Sequence, residues 1–193
     1  MIGIGLWIER PWVTSPPPLL SPTESVHNRC LYAVQSRLQE IAWPAMHPLV
    51  GSTDIPLVLS SIVVKKLPLE RIYKRPDSPL PLPCIIITPQ RVTAPPTAGV
   101  NSADDYQRPC LVTMVMADNT EPTLALNLDV MQMWQEKVMH AFHNQRLPGV
   151  AEVIIGHVEP AESVIPIAWG HNVLASAVLL KFTCREPRGL TIA

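Results

Sequence analysis

The sequence predicts an α+β fold: one mixed or antiparallel sheet of about five strands packed against two helices, with a proline-rich extended N-terminal arm and long loops. Three observations lead there. Two segments repeat apolar residues every three to four positions, the helical period, while others are Val- and Ile-rich runs or alternate in the manner of strands. Of the 193 residues, 22 are Pro. Each interior Pro costs a helix about 3 kcal/mol, which argues against a helical bundle or a long coiled coil. An apolar fraction of 47% with only 16% charged residues is too hydrophobic for a disordered chain.

The organisation is an arm over 1–24, a single domain over 25–188 and a short tail over 189–193. In the arm, Trp7 and Trp12 flank Glu9-Arg10-Pro11, and Pro16-Pro17-Pro18 favours an extended polyproline conformation. Its apolar side chains are costly to leave in water. The arm therefore either folds back on its own domain or reaches onto a neighbouring subunit.

The first helix starts near Thr23 or Ser25, with Thr23 as a candidate cap and Glu24 in the first turn. Cys30, Leu31, Val34, Leu38 and Ile41 make its apolar face, Pro44 ends it, and Trp43 is expected to pack at its end. Residues 57–67, rich in Val and Ile, read as a strand. The segment 68–82, with four prolines and alternating charges, reads as a loop. Residues 84–88 are a nearly all-apolar strand bounded by Pro83 and Pro89, buried on both faces and central in the sheet. A second loop spans 91–109, and 110–117 form the next strand.

Asn127 or Asp129 is expected to cap the second helix, over 129–144, whose apolar set is Val130, Met133 or Trp134, Val138 and Ala141-Phe142. Met131, Met133 and Met139 read as core and gap fillers. Residues 151–158 make a fourth strand, 164–169 a short extended piece, and 172–184 a long fifth strand. In the fifth strand Ala175, Ala177, Leu179 and Lys181 share one face, and Val178, Leu180, Phe182 and Cys184 the other. Two helices cannot shield both faces of such a sheet, so a partner subunit or the arm is expected to cover part of it.

Chemistry is sparse. The formal net charge is −1, without the positive excess that a phosphate-binding face needs. The basic group Lys65, Lys66, Arg71, Lys74 and Arg75 reads as a solvated edge or loop. Cys30, Cys84, Cys110 and Cys184 form no CxxC pair and sit in apolar settings, which points to free buried thiols over two disulfides. No stretch approaches the ~20 apolar residues that span a bilayer, so no membrane association is expected. His140, His143 and His157 are the candidate zinc ligands, but no HExxH pattern accompanies them. Asp104-Asp105-Tyr106 reads as a turn whose carboxylates accept backbone N–H bonds. No phosphate loop, dinucleotide fingerprint, nucleophile elbow or triad spacing is present. The expectation is no enzyme, no cofactor and no metal.

The segments SVHNRCLYAVQSRLQEIA, LPCIIITPQ, NSADDYQRPCLVTMVMAD, MWQEKVMHAF and NVLASAVLLKFTCREPRG follow one another in an order that resembles the tail-terminator and tail-completion proteins of tailed bacteriophages, over about residues 20–188. Pro83 to Pro89 are similar to a Pro-flanked central strand, Asp105 to Pro109 to an acidic-aromatic turn, Phe142 and Leu147 to the end of the second helix, and Thr183 to Glu186 to the final strand. The proline-rich arm and the 68–82 loop depart from the pattern and keep a neighbouring head–tail joining or neck role open.

The resemblance implies a structural virion subunit, assembled in the host cytoplasm. It would form a ring, often sixfold, at the head-proximal end of the tail, stop tube polymerisation and meet the head connector. Its partners would be further copies of itself, the tail-tube protein and a connector or neck protein, with DNA passing through the lumen without sequence readout. The arm and loops are the expected adhesive elements: Trp7 and Trp12 on the arm, Arg71, Tyr73 and Lys74 in the first loop, and Asp104, Asp105 and Tyr106 in the second. The alternatives are a tail-tube or baseplate component, or a small metal-dependent enzyme.

Overall fold

In the computed structural model, residues 25–47, 53–65, 82–93, 103–117, 124–162 and 173–187 are described. Trp7, Trp12, Thr23, Arg71, Tyr73, Lys74, the 164–169 piece and the C-terminal tail lie outside them.

Helix α1 (Val26–Gln39) begins at Ser25, whose side chain accepts the backbone N–H of Asn28 at 3.2 Å. That bond satisfies one of the open donors of the first turn. Cys30, Leu31, Val34 and Leu38 are buried as the helical period requires. Just past the helix, the Trp43 ring packs 5.2 Å from that of Trp134, and its indole N–H donates to the carbonyl of Leu38 at 3.0 Å.

Within its described part, 57–65, the expected strand is interrupted: Leu59–Ser61 is a 3₁₀ turn, and β1 (Ile62–Val64) follows it in the sheet. The Ser61 N–H and hydroxyl both bond the carbonyl of Val58, at 2.8 and 2.6 Å. A local serine bond of this kind competes with a sheet ladder.

The remaining elements are β2 (Cys84–Pro89), β3 (Ala103–Ala117), α2 (Leu124–Phe142), β4 (Val153–Glu162) and β5 (Val173–Pro187). They form one mixed sheet of order β1-β2-β3-β5-β4, in which β1 and β2 are parallel and every other pair is antiparallel. The α+β class, the five-stranded sheet and the two helices are as expected. β3 begins seven residues earlier than expected, at Ala103 instead of Cys110. β2 ends opposite Cys110, so Pro109, which has no N–H, falls just beyond that ladder.

Helix α2 starts at Leu124, so Asn127 lies inside it and does not cap it. Asn127 is fully buried. It accepts the N–H of His47 at 2.9 Å and donates to the His47 carbonyl at 3.0 Å, clasping the segment after α1. Trp134 adds a second tie, donating to the carbonyl of Pro44 at 2.9 Å. Met131 is in the core, whereas Met133 is 47% exposed and does not fill a gap, because its position on α2 points away from the sheet.

Both helices pack on one face of the sheet. Their buried residues join Ile62, Ile85, Ile87, Val112, Met114, Met116, Val178, Leu180 and Phe182 in the main core. On the opposite face Cys84, Ile86, Val115 and Ala175 form a smaller cluster, and Thr113 and Ala177 beside them are also buried. No described helix lies on that second face. No helix among the described residues is long and apolar enough to cross a membrane.

Gly156 in β4 sets the approach of α2 to the sheet edge. Its backbone exchanges bonds with the turn after α2, from Asn144 N–H to the Gly156 carbonyl (2.9 Å) and from Gly156 N–H to the Gln145 carbonyl (2.8 Å). A Cβ on Gly156 would stand 2.7 Å from the Phe142 carbonyl oxygen, which leaves no room for a side chain.

Candidate assembly surface

β3 and β5 pair over their full length, from Ala103 opposite Pro187 to Ala117 opposite Val173. β2 covers β3 only from Cys110 to Val115. The 103–109 end of β3 therefore runs past the β2 ladder, with a single bridge from Gln107 to Thr93, while β5 stays paired with β4 as far as Cys184. Asp104, Asp105 and Tyr106 are on this ribbon. They do not form the expected turn: their backbone groups are committed to the β5 ladder.

Cross-strand ion pairs join the polar side chains there, while Phe182 and Cys184 of the same stretch stay in the main core. On the face away from the helices, Arg185 donates through Nε and Nη2 to the two carboxylate oxygens of Asp105, at 2.8 and 2.9 Å. The bidentate Arg185 guanidinium holds the Asp105 carboxyl below its usual range. On the helix face, Arg108 donates through Nε and Nη2 to Glu186 at 3.0 and 2.6 Å, and its guanidinium stands 5.6 Å from the Tyr106 ring centroid. A third pair joins Lys181 to Glu159 on β4 at 2.6 Å, and Lys181 holds that carboxyl below its usual range.

The foot of α1 is tied to the same end. The His27 ring nitrogen Nε2 bonds the Pro109 carbonyl at 3.0 Å. Burial pushes the His27 pKa down, against the opposing effect of that bond, and the nearby Arg108 charge adds to the decrease. Arg29 is ion-paired with Glu152, in the turn before β4. Burial raises the Glu152 carboxyl, but the Arg29 bond and charge outweigh it, and the net shift is downward.

The ribbon carries three acids, Asp104, Asp105 and Glu186, against three bases, Arg108, Lys181 and Arg185. It is a mixed-charge surface with no net field. That suits contact with a protein surface of complementary pattern better than contact with phosphates. Sequence reading singled out Asp104, Asp105 and Tyr106 but missed Arg108, Arg185 and Glu186. The sequence carries no signal for these pairs, because only the register shows that 105 faces 185.

Of the three candidate zinc ligands, the structure brings two together. The His143 and His157 rings are 5.2 Å apart, and His157 Nε2 is 3.7 Å from Glu159. Among the described residues, no group of three or more His, Cys, Asp or Glu side chains is arranged to hold a metal ion. No model of a known protein family matches the chain, and no curated protein matches it by sequence.

Proposed function

We propose that this chain is a structural virion subunit of a tailed bacteriophage, a tail terminator that forms a ring at the head-proximal end of the tail and joins it to the connector. The reading is supported by the resemblance in element order. The observation that carries it is the β3–β5 ribbon: a strand pair whose β3 end runs past the β2 ladder and which bears an internally balanced set of charges. A head-to-tail ring needs two unlike surfaces on each subunit. The ion-paired end of the β3–β5 ribbon is a candidate for one of them. In this role the chain meets further copies of itself, the tail-tube protein and the connector, performs no chemistry, and DNA passes through the ring.

The test is to count the chain in purified particles and to locate it with a bound label. A few copies confined to the head–tail junction are expected. Many copies along the tail would make it a tube subunit, and absence from the particle would overturn the virion role.

A further inference from the structure

All four cysteines are buried and free. Cys30, Cys110 and Cys184 belong to the main core on the helix side of the sheet, and Cys84 to the cluster on the opposite face. Two anchors set α1 over the strands. His27, one turn before Cys30, bonds the Pro109 carbonyl. Arg29, the residue beside Cys30, pairs with Glu152, and the next residue, Val153, is the register partner of Cys184. Cys30 thus lies over β5 on the Cys184 side, and the Cys184 thiol donates to the Phe182 carbonyl at 3.8 Å.

The topology disfavours Cys110 with Cys184 and any bridge to Cys84. Cys184 is opposite Tyr106, four residues along β3 from Cys110. Four strand residues span roughly 13 Å, and a disulfide bridges Cα atoms less than about 7 Å apart. Cys84 is on the wrong face of the sheet.

We infer that Cys30 and Cys184 are a site of oxidative modification, an intrachain disulfide that clamps α1 to β5 when the chain meets a low-molecular-weight disulfide such as oxidised glutathione. One protein thiolate attacks a sulfur of the small disulfide, breaks its S–S bond and releases the first small thiolate. The second protein thiolate then attacks the protein sulfur of the mixed disulfide and releases the other. The protein loses two thiol protons and two electrons, and the small disulfide leaves as two thiols. Interaction with the Cys184 thiol, and burial after it, push the Cys30 thiol up, so the closed site reacts slowly. Reaction proceeds when the foot of α1 lifts, and the Arg29–Glu152 pair is the latch that resists lifting.

The experiment treats the folded full-length chain with oxidised glutathione over a time course. Free thiols are then alkylated in denaturant, and the unreduced peptides are mapped by mass spectrometry. The expected product links Cys30 to Cys184 with Cys84 alkylated, and E152Q forms it several-fold faster. A disulfide between any other pair, or four alkylated cysteines throughout, overturns the site. An unchanged rate in E152Q overturns the latch.

Discussion

The two halves of the β3–β5 ladder have the same backbone and opposite chemistry. From Cys110 to Met116 and from Leu174 to Leu180 the paired strands are almost wholly buried, with helices on one face and the ladder to β2 along one side. From Ala103 to Arg108 and from Lys181 to Glu186 the same two strands add the pairs Asp105–Arg185 and Arg108–Glu186, with Phe182 and Cys184 still in the core. The difference teaches where folding energy and recognition reside. Removing apolar surface from water is worth roughly 25 cal/mol per Å², whereas an exposed ion pair is worth about 0–1 kcal/mol. The covered half carries most of the apolar burial, and the ribbon half carries the ion pairs.

Substitutions can break this contrast, and the largest effect belongs to the covered half. Trp134→Ala removes a fully buried ring and its bond to Pro44, and should cost about 3–5 kcal/mol in denaturant unfolding. A loss below about 1 kcal/mol would show that α2 does not carry the core. Gly156→Ala comes next. Its Cβ must push against the Phe142 carbonyl, and a cost of about 1–3 kcal/mol is expected, with faster hydrogen exchange at Asn144.

Acid sharpens the contrast at the ribbon end. The folded His27 has a lowered pKa, so below the ordinary value of 6.5 the unfolded chain takes up a proton that the folded chain refuses. Stability is therefore unaffected by His27 above that pH and declines as pH falls below it. Glu152 is also lowered, from 4.5. Its contribution is complete above 4.5 and is lost as pH falls through its folded value. A pH series of unfolding midpoints should thus fall in two stages, and His27→Gln should flatten the first. The smallest effect is Asp105→Asn. It breaks an exposed pair, and the thermal midpoint should stay within a degree or so of the parent value.

The covered half is also the legible half. The Pro-bounded run Cys84–Thr88, the α1 stripe through Val34 and Leu38, and the two faces of β5 are all set by burial, which writes a period into the sequence. The β3 end of the ribbon, 103–108, has no such period. Its side chains satisfy each other across strands, so Asp104-Asp105-Tyr106 carries the composition of a loop although its backbone is extended. Asn127 misled for a related reason. The residue type that caps helices also suits a buried clasp on a passing backbone, and only the position of His47 decides between them.

The central claim is that the ribbon recognises a partner and contributes little to folding. The double exchange Asp105→Arg with Arg185→Asp tests it, because it keeps the ion pair and reverses its outward pattern. The measurement is the amount of chain incorporated into particles when this variant replaces the parent, alongside its thermal midpoint. The account predicts an unchanged midpoint with incorporation lost. Incorporation at the parental level would contradict it.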